Sequence, residues 1–344
     1  MNEFTISERL AARLNLLPKA VHDAFPAVLF GRVLVIATRI GIFDQLDQKP
    51  LSAAEVSHSL NLPEQSAQLL LSSLHAAGYL KKRGARYSLS PQASKWLVKS
   101  SPAYLGNFLR YIELLHGRWM LLEESLRKGT ASNSYPSSYT PEEWRIYTEG
   151  MMDLAKLILP QIRGRLTLPP NAKSILDLGG SHGLYSIDLC TRHPGLTATL
   201  ADLPPVLERT REIIREHRLS DRITLLPCNM TSGSFGRERY DAVLMFNIVH
   251  GFQPDVNRAL LAAASGALTT GGSLFLLDQF TGKRSRGEER LLPLMVGINL
   301  LNEIGGNVYE METVRSWCAG AGLGQARFWR LSLPGVGLLK ATKI

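Results

Sequence analysis

Cysteine is scarce in this chain: Cys190, Cys228 and Cys318 are its 3 cysteines in 344 residues. So few, so far apart, they argue against a disulfide framework and a thiolate metal centre. A reducing compartment is expected, and no metal. No run of about 18 apolar residues occurs, which excludes an obvious membrane-spanning helix. The first residues, Met1-Asn-Glu-Phe-Thr-Ile-Ser-Glu-Arg9, lack a secretory-signal pattern, so a cytoplasmic location and no membrane partner are expected. There is no internal repeat and no low-complexity tract. The basic clusters Lys81–Arg86 and Lys283–Arg286 are not interleaved with aromatics as in a single-strand binding groove. A formal charge of +9 therefore leaves nucleic acid, an acidic small molecule and plain solubility all open. What is present is ordinary globular material, 45% hydrophobic and 20% charged, in a chain long enough for two domains.

The first hundred residues have their own texture. Ala27–Gly41 is apolar with helical spacing and no polar face, so it must be buried in a core or against a partner. Ser52 with Glu55 three residues later reads as a capping box opening a helix. The turn Asn61-Leu-Pro-Glu64 leads into a second helix, Gln65–Ala77, and two strand-like pieces flank Arg83-Gly84. Residues 40–90 thus read as a winged helix. Its second helix begins Pro63-Glu-Gln-Ser-Ala-Gln-Leu69, with no Lys or Arg before the wing. That composition favours a structural or dimerising role over DNA binding. Helices are then predicted over Tyr104–Leu115, Arg118–Lys128 and Pro141–Arg163, with a polar loop at Thr130–Thr140 and a boundary at Pro169-Pro170-Asn171.

Beyond the boundary, strands alternate with helices: Lys173–Leu178, Thr197–Asp202, Arg222–Cys228, Tyr240–Asn247 and Gly272–Gln279. Such alternation predicts a parallel sheet with right-handed crossovers. Gln325–Leu331 and Gly335–Lys343 are separated only by Ser332-Leu-Pro334, which demands an antiparallel hairpin. The expected fold is α/β, Rossmann-like, with seven strands ending in that hairpin. Its chemistry lies in Ser174-Ile-Leu-Asp-Leu-Gly-Gly-Ser-His-Gly-Leu-Tyr185, a strand, a glycine turn and a helix N-terminus. Asp177 would repel a pyrophosphate over that turn and attract a cationic amino group, which favours S-adenosylmethionine (SAM) over a dinucleotide. Asp202, at the end of the next strand, suits ribose hydroxyls. Asn229-Met230, after the third, suits an adenine edge and face.

These residues together resemble the two-domain SAM-dependent O-methyltransferases, which include plant caffeate-type and animal hydroxyindole enzymes. The likeness extends from Ala37-Thr-Arg-Ile-Gly-Ile-Phe-Asp44, similar to the family's dimerisation helix and its exit, through Leu176–Gly183 and Ala201-Asp-Leu-Pro204 to Asn247-Ile-Val-His-Gly-Phe252. It implies an N-terminal dimerisation domain over 1–101, linking helices over 102–168 that contribute to the active site, and a SAM-binding domain over 169–344. It implies a homodimer with a small-molecule acceptor, and cofactor contacts from Tyr147, Met151, Asp177, Gly179, Gly180, Asp202, Leu203, Asn229, Met230 and Asn247. His250 falls where the family carries its base, and Asp278 matches the first orienting acid. The family's second acid follows a Gly-Gly pair. Here Val308 holds its position after Gly305-Gly306, and Glu310 comes two residues late.

Methyl transfer from SAM needs an aligned nucleophile and, for a hydroxyl, a base. His250, with an imidazole pKa near 6.5, suits that role. The apolar segment Leu291–Ile304 is the expected acceptor wall, with Met295, Asn299 and Asn302 on one face. Those amides could reach the substrate, each other or solvent; His116 and Trp119 are further candidates. Three other readings stand beside O-methylation: transfer to sulfur, nitrogen or carbon, a SAM-binding protein that transfers no methyl, and a DNA-binding regulator.

Overall fold

A computed structural model of the chain describes residues 19–132, 139–231, 235–282 and 288–344. The N-terminal Met1–Arg9 segment, most of the Thr130–Thr140 loop and the Lys283–Arg286 cluster lie outside the described residues. The chain forms two compact units, Met1–Leu114 and Leu115–Ile344. The helices after Leu115 fall in the unit that carries the large sheet.

The first unit opens with α1 (Lys19–Arg39) and α2 (Ile42–Gln48), joined through Gly41 in the left-handed region at φ 84°. Strand β1 (Leu51–Ser52) leads into α3 (Ala53–Leu60), where Ser52 and Glu55 close the expected capping box reciprocally. Next come α4 (Glu64–Ala76), β2 (Leu80–Arg83), β3 (Arg86–Leu89) and α5 (Pro91–Trp96). The sheet order β1-β3-β2 is antiparallel throughout, and this is the winged helix the sequence predicts. Ile42, Phe43, Val56, Leu71, Leu74 and Tyr87 fill its core. Helix α1 is only half accounted for by that core: Val35 and Ala37 are buried, while Phe25, Val28 and Leu29 stand 66%, 61% and 50% exposed.

Helix α6 (Gly106–Trp119) spans the division between the units. After it come α7 (Leu122–Lys128) and α8 (Pro141–Ile162), the latter opened by a second capping box at Thr140 and Glu143. The sheet follows: β4 (Ser174–Leu178), α9 (Leu184–Arg192), β5 (Thr197–Asp202), α10 (Pro204–Glu216), β6 (Ile223–Pro227), β7 (Tyr240–Phe246), α11 (Pro254–Ala267) and β8 (Leu268–Thr281). The chain ends with α12 (Glu288–Ile304), β9 (Tyr309–Glu310), α13 (Met311–Gly320), β10 (Leu323–Arg330) and β11 (Val336–Lys343). The main path is seven strands, β10-β11-β8-β7-β4-β5-β6. Its β8–β11 and β10–β11 pairs are antiparallel and the others parallel. The two-residue β9 adds an eighth strand against the end of β8.

Ala242–Phe246 of β7 and Leu274–Leu277 of β8 are continuous apolar runs because helices cover both faces of the sheet. Alternate residues feed two cores, Leu244, Phe275, Leu277 and Leu338 on one face and Val243, Met245, Leu276 and Leu339 on the other. Each such side chain contributes about 1.5–3 kcal/mol of burial. Strand order reverses at β4, which pairs with β5 on one side and β7 on the other. A crevice opens at the carboxyl ends of the strands at such a reversal. Among the described residues no single helix is long and apolar enough to cross a membrane.

Leu338 is fully buried on β11. Leu338→Ala is expected to lower unfolding free energy by about 2–5 kcal/mol in chemical denaturation. A change below about 0.5 kcal/mol would show that this strand is not part of a cooperative core.

Candidate active site

The carboxyl ends of β4, β5, β7 and β8 bring the expected polar groups to one edge. At the end of β4, Asp177 is 1% exposed. Its Oδ2 accepts from Ser186 Oγ at 2.7 Å, while its Oδ1 is buried with no hydrogen-bond partner. Burial, reinforced by the nearby Asp202 charge, pushes its pKa up to about 7. Gly179 follows at φ 66°, and a Cβ there would sit 2.1 Å from Ile248 Cδ1 and 3.1 Å from Met230 Cε. A Cβ on Gly180 would meet Leu200 Cγ at 2.6 Å and Asp177 Oδ2 at 2.8 Å. The two glycines are therefore the only side-chain size this turn accepts.

Asp202, at the end of β5, accepts from Ser181 N at 2.9 Å and from Leu203 N at 2.7 Å. Burial raises its pKa to about 6. Tyr147, on α8, has its phenol held well above its ordinary pKa by burial and then by the Asp202 charge, which puts the two in electrostatic reach. Met151 is half-buried one turn along the same helix. Met230 lies over the glycine turn. Asn229 is exposed, and its Oδ1 accepts from Thr231 N at 3.1 Å and Thr231 Oγ1 at 2.8 Å. The acceptor expected to face adenine is thus engaged in a local side-chain turn, a common use of Asn in loops. His182, inside the turn, is buried, and its Nδ1 accepts from Leu184 N at 3.0 Å. Burial drives its pKa down to about 3, so it stays neutral.

Past β7, Asn247 adopts φ 56°, and one short helical turn, Val249–Gly251, carries His250. His250 Nδ1 lies 2.6 Å from Asp278 Oδ1, and His250 N donates to Asp278 Oδ2 at 3.3 Å. Asp278 is 1% exposed and also accepts from Gln279 N at 2.8 Å. With Nδ1–H given to the carboxylate, Nε2 is left as the proton acceptor. Ile248, to which the sequence assigns no role, seats this turn on Gly179. Gly306 likewise makes room for the turn. A Cβ on it would lie 2.2 Å from His250 O, to which Asn307 N donates at 2.8 Å. Val308 is buried, and Glu310 is exposed at the N-cap of α13.

The expected acceptor residues separate. Asn299 Oδ1 accepts from Trp119 Nε1 at 2.8 Å, which ties α12 to the end of α6. Asn302 is fully buried; its Oδ1 accepts from Ser125 Oγ at 2.9 Å and its Nδ2 donates to Arg118 O at 3.1 Å. Its amide is paired inside the protein at both ends. A buried amide is costly unless both its ends are paired, and here they are. Met295 is 40% exposed and Trp119 39%. His116 is exposed on α6. A group absent from the expectation is Glu303, 4% exposed, with Oε2 3.4 Å from Tyr139 OH and Oε1 unpartnered. Among the described residues no cluster of His, Cys, Asp or Glu is placed to hold a metal.

Two family profiles match the chain: an O-methyltransferase domain over residues 128–323 and an O-methyltransferase dimerisation domain over 23–99. A 3-hydroxy-5-methyl-1-naphthoate 3-O-methyltransferase of Streptomyces sahachiroi is 26% identical over 327 residues, 92% of this chain and 93% of that protein. An L-tyrosine C(3)-methyltransferase of Streptomyces lavendulae is 26% identical over 336 residues, 92% and 91% of the two chains. In fold, the chain is similar to human N-acetylserotonin methyltransferase solved in complex with SAM. The TM-score is 0.84 at 19% identity, covering 99% of each chain.

The lone buried oxygen of Asp177 and the side-chain-free glycines beside it fit a ligand that brings a cation. A raised carboxyl pKa means the folded protein holds a proton up to about 7 that the unfolded chain releases near 4. Unliganded stability therefore declines as pH rises through that window. Affinity for S-adenosylhomocysteine, whose ammonium favours the ionised carboxylate, is expected to rise over the same window with release of a proton. Calorimetry in buffers of different ionisation enthalpy measures that release. Asp177→Asn should weaken binding at least about tenfold and diminish the proton release; equal affinity in the variant would sink the assignment.

Proposed function

The chain belongs to the SAM-dependent O-methyltransferase family, and on that premise we propose that it methylates a hydroxyl of a small aromatic or polyketide-like molecule with His250 as general base. The observation that carries this reading is the 2.6 Å contact between His250 Nδ1 and Asp278 Oδ1, next to the glycine turn. Asp177 holds the cofactor's amino group, Gly179 and Gly180 admit its methionine portion, Asp202 and Leu203 border its ribose, and Met230 covers its adenine. Tyr147, Met151 and Asn247 complete that pocket, and Asn229 borders the adenine with its oxygen already engaged. Bound SAM supplies a sulfonium-activated methyl group and leaves as S-adenosylhomocysteine.

His250 Nε2 takes the hydroxyl proton as the acceptor oxygen forms its bond to carbon. Asp278 holds the ring in the required tautomer and stabilises the imidazolium that results. Two backbone N–H groups fix that carboxylate in turn. Asn299, held by Trp119, lines the acceptor side with Met295, and His116 lies further out on α6. The division into 1–101, 102–168 and 169–344 describes the functional parts in this reading. Phe25, Val28 and Leu29 on α1 form the face that meets a second copy, and the free cysteines suit the cytoplasm.

A second reading has its own observation. Val308 stands buried where the family carries its second acid, which leaves a single carboxylate on the base. A carbon, nitrogen or sulfur acceptor needs less help from a base.

His250→Ala is expected to lower kcat by about 10²-fold or more on a hydroxyl acceptor, with S-adenosylhomocysteine affinity unchanged. Asp278→Asn should lower kcat while KM stays put. Full turnover by His250→Ala would remove the base and favour the second reading. Val28→Asp should convert the dimer to monomer in light scattering; a monomeric wild type would refute the dimer.

A further inference from the structure

We propose that Glu303 recognises the acceptor. Its free carboxylate oxygen takes a hydrogen bond from a second donor, a hydroxyl or N–H, borne by the molecule that is methylated. This rests on the methyltransferase reading above and names the acceptor class for it.

Glu303 is out of place by every local rule. It sits in the last turn of α12, where the helix dipole disfavours an acid. It is 4% exposed, and burial raises its carboxyl pKa. One oxygen, Oε2, receives Tyr139 OH at 3.4 Å, and the other has no partner. A buried carboxylate oxygen left unpaired is expensive, and such groups are retained where something else pairs them.

Its surroundings say what that is. On one side, Ile304 packs on Gly251 and Gly306 presses on His250 O, so this end of α12 is seated on the base. On the other, the Tyr139 ring lies 6.4 Å from Tyr147, which feels the Asp202 charge. Glu303 is thus linked on one side to the turn that carries His250 and on the other, through Tyr139, to Tyr147. The neighbouring amides are not competitors: Asn302 is paired at both ends and the Asn299 oxygen is held by Trp119. A positive charge is already supplied, because the Arg118 guanidinium lies 3.8 Å over the Tyr139 ring and 3.6 Å from Glu143, and its charge acts on Glu303. The free oxygen therefore suits a neutral donor better than a second cation.

The test uses the full-length protein, labelled SAM and naphthalenediols with hydroxyls on neighbouring, peri and opposite-ring carbons. Each diol is compared with its monomethyl ether and with 1- and 2-naphthol. Wild-type kcat/KM for the best diol should exceed that of its one-donor partners by about tenfold or more. Glu303→Gln should bring that ratio near one, chiefly through KM, with S-adenosylhomocysteine affinity unchanged. A merely structural role would lower kcat/KM for diols and naphthols alike and keep the ratio. An unchanged ratio in the variant, or a wild type indifferent to the second donor, overturns the proposal. So does a lack of turnover on every compound by protein that binds S-adenosylhomocysteine. Should Glu303→Gln not fold, Glu303→Asp, which keeps the charge but withdraws the carboxylate by one methylene, should lower the same ratio, and an unchanged ratio overturns the proposal. Failure of S-adenosylhomocysteine to bind would instead overturn the methyltransferase reading itself.

Discussion

A carboxylate buried with one oxygen unpaired is the constraint around which this site is arranged. Asp177 sits at the strand where the sheet order reverses, and Ser186 satisfies only half of it. Keeping it there requires two glycines beside it, because either Cβ would collide with Ile248, Leu200 or Asp177 itself. Ile248 in turn seats the short turn that presents His250. The unpaired Asp177 carboxylate and the placement of His250 are thus coupled through one methyl group packed on one glycine.

The sheet was legible because its rules are local. Short, mostly apolar segments with Asp177, Asp202 and Asn247 at or beside their ends announce parallel strands, and a link as short as Ser332–Pro334 allows only a hairpin. The winged helix was legible through a capping box and a turn. His250 and Asp278 were named through a family resemblance, and the fold brings together these two residues 28 positions apart. The reversal at β4, which turns four separate strand ends into one edge, is a long-range pairing that no window of sequence contains.

What α12 meets was not legible in the sequence, for a physical reason. Periodicity tells which residues share a helix face, not what that face meets. Met295, Asn299 and Asn302 do share one, but the partners that consume the amides, Trp119, Ser125 and the Arg118 carbonyl, come from α6 and α7. Glu303 was passed over because it looks like a solvated charge at a helix end. Its one available signal was being an acid at the C-terminal turn, the wrong end for its charge.

Gly306 carries no functional group, yet its α-hydrogen faces the carbonyl of the residue assigned as the base, too close for any side chain. In a saturation screen for lost activity it would score beside His250, although its contribution is purely negative: like Gly179 and Gly180, it marks a place where matter has to be missing. A map of inactivating alleles would therefore outline two kinds of position, those that act and those that make room, and sequence intolerance by itself would not separate them.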